Sequence, residues 1–150
     1  MYGCNSFSND GYGGKLLRKE FLILFILAIL VASVSASFAA DPINNATDLS
    51  SALNQAHADN KKVMVVFNKQ DCKYCDMFKK DVLSNGNVVS EINKDYILVF
   101  VDINEHPDIA SKYKIFGTPT TLFLNSDQKE IHRTEGYVDA NEFLKELKAI

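Results

Sequence analysis

Two cysteines spaced by two residues, Cys72-Lys73-Tyr74-Cys75, follow shortly after the apolar run Val63-Met64-Val65-Val66-Phe67. That run is short and rich in β-branched residues, the pattern of a strand buried on both faces. Asn68 to Asp71 reads as a turn. A helix is predicted from about Cys72 to Leu83, with Asp71 as its N-cap. The first cysteine then occupies a helix N-terminus, where unpaired N–H groups and the macrodipole stabilise an anion. The thiolate is the nucleophile of disulfide exchange, so lowering a thiol pKa from ~8.5 activates it. The second cysteine lies one turn on, placed to attack a mixed disulfide and release the product. Lys73 favours the thiolate, Asp71 and Asp76 disfavour it, and Tyr74 between the cysteines is a further tuning position.

Other uses of such a pair fit less well. A disulfide closing four residues removes only about 2 kcal/mol of unfolded-state entropy, against about 4.7 for a 100-residue loop. A bridge made for stability would span more chain. A structural zinc site needs four ligands, whereas His57, His106 and His132 are scattered and no second cysteine pair exists. Haem attachment needs a histidine after the second cysteine, and that position is Asp76. Redox chemistry remains, with the Cys72–Cys75 disulfide itself as the redox group and no metal or other cofactor expected.

Thr118-Pro119 is the second signal. A proline between a loop and a buried strand, preceded by Gly117, suits a tight turn with a cis bond. It equally suits a trans proline that starts a strand.

The elements that must position these groups follow from periodicity. A helix bearing Leu49, Leu53 and Ala56 ends near Asn60, with Asn44, Asn45 and Thr47 as candidate caps. The strand Val63–Phe67 and the cysteine helix come next. Asn85-Gly86-Asn87 breaks the chain, and Val88 to Asn93 form a short helical stretch. Tyr96 to Val101 is a second strand. A helix opened by Pro107 runs to Tyr113. Ile115 to Pro119 form a loop. Thr120–Leu124 and Glu130–Thr134 are strands joined by a tight turn, hence antiparallel. Gly136 marks a bend, and Asp139 caps a last helix bearing Phe143, Leu144 and Leu147. Strands separated by helices imply parallel pairing, with the final hairpin as an antiparallel edge. The expected fold is α/β: a four-stranded mixed sheet with helices on both faces.

Residues 21–34 are strongly apolar and follow Lys15, Arg18 and Lys19; small residues follow at 35–40. That order is a secretory signal, with the cut expected after Ala39 and alternatives after Ala36 or Ala40. The competing reading is a retained anchor, because residues 21–40 carry no charge and just suffice to span a bilayer. The cleaved signal is favoured. Either way the folded part reaches the far side of the membrane. The expected organisation is a tail plus signal at 1–39 and one domain at 40–150. Cys4 is given no role. The 150-residue chain is 47% hydrophobic and has formal net charge −3. Its charges are interspersed, without the basic face that nucleic-acid binding requires.

Taken together, Val63 to Phe67, Cys72-Lys73-Tyr74-Cys75 and Gly117-Thr118-Pro119-Thr120 resemble the thioredoxin superfamily. Within it the chain is most similar to small periplasmic thioredoxin-related proteins and to the C-terminal domain of the membrane disulfide reductase DsbD. The likeness extends to Gly136-Tyr137-Val138-Asp139-Ala140-Asn141-Glu142-Phe143. It implies a thioredoxin fold, a cis Thr118-Pro119 bond facing the cysteines, and backbone pairing of Thr118 with a substrate peptide. It implies Cys72 as nucleophile and Cys75 as resolving thiol. The chain departs from the pattern at Val66, where a buried aspartate is usual, and at Asp71, where an aromatic is usual. The expectation is a periplasmic thiol–disulfide oxidoreductase that reduces protein disulfides and is recharged by a membrane electron donor. Oxidase or isomerase activity, and a non-catalytic binding or chaperone module, are the alternatives.

Overall fold

The computed structural model describes residues 43 and 45–150. The export segment, its cleavage positions and Cys4 lie outside the described residues. Among the described residues, no helix is long and apolar enough to cross a membrane.

The element order is α1 (Leu49–Asp59), β1 (Lys62–Asn68), α2 (Lys73–Met77) continuing as a π-helical turn (Phe78–Val82), α3 (Gly86–Asp95), β2 (Tyr96–Asp102), α4 (Pro107–Lys112), β3 (Thr120–Leu124), β4 (Glu130–Glu135) and α5 (Ala140–Ala149). The strands form one mixed sheet in the order β2-β1-β3-β4. Central β1 is buried throughout Val63–Phe67. Because side chains alternate along a strand, Val63, Val65 and Phe67 enter one core with Leu49, Ala52 and Ala56 of α1. Met64 and Val66 enter the other, with Phe78, Val82, Ile92 and Phe143. Phe78 and Phe143 meet edge to face at 5.1 Å between ring centroids, tying the cysteine-bearing helix to α5.

Three local expectations are corrected. First, β3 runs antiparallel to β1, although a helix separates it from β2. A parallel crossover must carry the chain back along the sheet, ~23 Å for a seven-residue strand. Helix α4 has six residues and advances only ~9 Å. The connection therefore stays at one end of the sheet, and Thr120 starts opposite Phe67. Second, helices begin elsewhere than predicted. Asp48 caps α1, accepting from Ser51 N–H at 2.9 Å, in place of Asn44, Asn45 or Thr47. Asn85 caps a ten-residue α3 through its side-chain oxygen, so Asn85-Gly86-Asn87 opens a helix instead of only interrupting the chain. Third, the cysteine helix is not uniform. Its second half is a π-turn closed by Leu83 N–H to Phe78 O at 3.0 Å, and Phe78, Val82 and Leu83 are all buried.

The topology sets up the site. The carboxyl ends of β1 and β2, Asn68 opposite Asp102, meet the amino end of β3. Loops 69–72 and 113–119 both emerge there, far apart in sequence and joined at one end of the sheet.

Candidate active site

Cys72 and Cys75 form a disulfide, with Cα atoms 5.2 Å apart. Cys72 is the N-cap of α2: its sulfur accepts from Cys75 N–H at 3.2 Å. This corrects the expectation that Asp71 caps the helix. Asp71 adopts a left-handed conformation, φ +54°, which Asp tolerates better than most residues. The cap position passes to the next residue, so the Cys72 sulfur itself receives the helix's unpaired N–H. Cys72 is 8% exposed and Cys75 3%, leaving Cys72 the more accessible sulfur.

The second loop closes on Cys72. Thr118 Oγ1 lies 3.5 Å from Cys72 Sγ. A disulfide sulfur carries no proton, so the hydroxyl is the donor. The Thr118–Pro119 peptide bond is cis. Pro119 O accepts from Gly136 N–H at 2.8 Å, and Thr120 Oγ1 donates to Gly117 O at 2.9 Å. Gly136 sits at φ +82°, a region open chiefly to glycine, which lets the end of β4 reach the proline carbonyl.

Of the residues singled out by sequence, the structure gathers Cys72, Cys75 and Thr118, with Pro119 buried beside Thr118. Asp71, Lys73, Tyr74 and Asp76 are all exposed. No ion pair or hydrogen bond from their side chains to either cysteine is present among the described residues. Val66 is 1% exposed in the apolar core and pairs across the ladder with Phe100. No three His, Cys, Asp or Glu side chains gather among the described residues to hold a metal.

Two features escaped sequence reasoning. Phe116, two residues before Thr118, is 92% exposed; an aromatic beside glycine in a loop was the available signal. With its side-chain amide turned to suit its neighbours, Asn68 donates to Val101 O at 3.1 Å and accepts from Lys79 Nζ at 2.9 Å. Lys79 also lies 4.9 Å from the Phe100 ring centroid. Nothing in the sequence pattern signals that clasp.

A family model described as a thioredoxin-like domain matches residues 49–150. The thiol:disulfide interchange protein DsbD of Yersinia pestis is 31% identical over 112 residues, covering 71% of this chain and 18% of that protein. The chain thus spans about a fifth of the length of the DsbD relatives it matches. A thioredoxin of Mycoplasmoides gallisepticum is 34% identical over 98 residues, 63% of this chain and 89% of that one. Among solved structures, a thioredoxin from Thermus thermophilus superimposes with TM-score 0.67 at 30% identity, covering 73% of this chain and 87% of that one. The oxidised DsbD C-terminal domain of Neisseria meningitidis gives TM-score 0.59 at 22% identity, covering 69% and 96%; at that identity the likeness shows the fold alone.

Proposed function

The chain belongs to the thioredoxin-like family, and on that premise we propose that it is an exported thiol–disulfide oxidoreductase that reduces protein disulfides through Cys72 and Cys75. The observation that carries the reading is the pair of donors on one sulfur: Cys75 N–H and the Thr118 hydroxyl both point at Cys72 Sγ. Donors aimed at a sulfur stabilise it as a thiolate, the form that attacks.

In the reduced protein the Cys72 thiolate attacks one sulfur of a substrate disulfide. A Cys72–substrate bond forms, the substrate S–S bond breaks, and the departing substrate thiolate takes up a proton. Cys75 then loses its proton and attacks Cys72 Sγ. The mixed disulfide breaks, the second substrate thiol leaves, and the Cys72–Cys75 disulfide is restored. Two electrons pass to the substrate. Thr118 and Pro119 form the substrate-binding edge. A dithiol donor at the membrane returns the electrons, and the working compartment is the periplasm. The support for donor and compartment is the basic-then-apolar N-terminal segment and the similarity to a segment of DsbD.

The test is the reduction potential of the pair, measured on residues 40–150 equilibrated in thiol–disulfide buffers. A value near roughly −270 mV, the thioredoxin range, supports a reductase. One near roughly −120 mV, the strong-oxidant range, overturns that direction in favour of disulfide insertion.

A further inference from the structure

We propose that Phe116 selects among protein disulfides by packing against an apolar side chain of the substrate, within two residues of the cysteine that reacts with Cys72. The inference rests on the thiol–disulfide reading above and names the kind of substrate segment it prefers.

Three large hydrophobic residues are exposed among the described residues: Tyr74, Phe116 and Ile131. Two of the three belong to the segments that carry or approach the disulfide. Tyr74 lies between the cysteines and is 57% exposed; Phe116, at 92%, stands two residues before Thr118, whose hydroxyl lies 3.5 Å from Cys72 Sγ. Among the described residues nothing covers the Phe116 ring, which leaves it open to contact.

Phe116, Thr118, Pro119, Glu135 and Gly136 are among the residues that line a cavity of about 160 Å³. Small-molecule sites usually measure ~300–1,000 Å³. This space suits a side chain of an extended segment better than a free ligand. Its walls are fixed by Gly136 N–H to Pro119 O and by the Thr120 hydroxyl to Gly117 O, so it does not depend on a partner to form. Glu135 is its one charged residue and already faces the Arg133 guanidinium at 3.7 Å. The large apolar surface on offer beside it is the exposed Phe116 ring.

The chemistry dictates which chain enters. A mixed disulfide holds the substrate sulfur on Cys72 Sγ. Each further substrate residue can move at most ~3.3–3.6 Å along the chain. Residues one or two away from the reacting cysteine then come within reach of the Thr118 loop, which approaches Cys72 Sγ to 3.5 Å, and of Tyr74, which lies between the cysteines. Phe116 is the better probe of the two, because altering Tyr74 also alters the sequence between the cysteines.

The experiment uses two peptide disulfides that differ only in carrying Phe or Ser beside the reactive cysteine. kcat/KM is measured for each, with dithiothreitol as the recycling reductant. Wild-type protein is expected to favour the Phe peptide about tenfold, within the range for apolar discrimination. Phe116→Ser should bring the ratio close to one, chiefly through KM, and Phe116→Leu should keep most of the preference. A ratio near one in wild type, or one that Phe116→Ser leaves unchanged, overturns the inference while leaving the oxidoreductase reading intact. Failure of wild type to reduce either peptide overturns both. A concentration-dependent dimer that Phe116→Ser dissolves would assign the ring to a second copy of the chain and likewise overturn the proposal.

Discussion

Replacing Thr118 by valine removes the hydroxyl beside Cys72 Sγ while keeping a β-branched side chain of similar shape. In the disulfide form Cys72 Sγ accepts from that hydroxyl at 3.5 Å and from Cys75 N–H at 3.2 Å, and on the proposed reading the Cys72 thiolate of the reduced protein keeps both donors. The valine variant leaves only the second donor. A hydrogen bond to a charged group contributes about 1.5–3 kcal/mol. The 3.5 Å separation and the partial access of water to Cys72 place this one at or below the low end, at about 1 kcal/mol. One pKa unit corresponds to 1.36 kcal/mol, so the Cys72 thiol should rise by about 0.7 unit.

The sign for the redox couple follows from which state loses more. The thiolate loses a charge-assisted bond; the disulfide sulfur loses a weaker neutral one. The reduced form is destabilised relative to the oxidised form, and the potential becomes more negative. Since 30 mV corresponds to about 1.4 kcal/mol for two electrons, the shift is at most about 20 mV. The assay is the pH dependence of iodoacetamide alkylation of Cys72, compared in Cys75→Ser and Cys75→Ser/Thr118→Val proteins. An alkylation midpoint that stays put or moves down would refute the assignment of Thr118 as a donor to the thiolate.

Three further outcomes follow from the same structure. Cys75→Ser should accumulate a mixed disulfide at Cys72 with a protein substrate, whereas Cys72→Ser should form none; mass spectrometry of the trapped species decides, and adducts on Cys75 in the Cys72→Ser protein would reverse the roles. Gly136→Ala meets no atom within 4 Å of the added Cβ, but it sits at φ +82°. It should lose about 1–2 kcal/mol from backbone conformation alone, seen as a lower urea midpoint with unchanged m-value. Burial first, then the negative charges of Asp95 and Glu91, push the Tyr96 phenol up to about 12, against ~10 in the unfolded chain. Its raised folded pKa means stability is full below pH ~10 and falls as pH rises toward 12. Among the described residues the buried hydroxyl has no hydrogen-bond partner, so Tyr96→Phe should remove that alkaline loss and leave stability at pH 7 within about 1 kcal/mol of wild type. Urea unfolding at both pH values checks this, and an unchanged alkaline loss in the variant would exclude Tyr96 as its source.

Much of the fold was legible because the strands announce themselves. Val63–Phe67 and Tyr96–Val101 are apolar without interruption, as strands covered on both faces must be, and Asp139 stands where its last helix begins. The direction of β3 was not legible. It depends on how far a connection travels, and the rule that a helix between strands implies a crossover takes no account of a helix too short to make one. The caps at Asp48 and Asn85 were missed for a related reason. Asn44, Asn45, Thr47 and Asp48 are all residue types that can cap, and only the packing of Leu49 and Ala52 against β1 and β2 fixes where the first turn starts. Phe116 illustrates a third limit: a loop aromatic reads the same in sequence whether it is buried or 92% exposed.

The misplaced Asp71 cap bears most directly on the chemistry. Had Asp71 capped the helix, its carboxylate would have taken the amide donors of the first turn and set a negative charge where the thiolate must form. Turning Asp71 into the left-handed region moves the cap by one residue and gives the donor to sulfur. The two cysteines then differ for reasons of backbone geometry. Cys72 Sγ has an amide and a hydroxyl aimed at it. No hydrogen bond reaches the Cys75 sulfur among the described residues, and Val66 lies buried where the usual carboxylate would be. Burial without donors disfavours a thiolate, and donors favour one. On the proposed reading the negative charge of the reduced pair falls on Cys72, the more exposed sulfur and the one that Thr118 approaches.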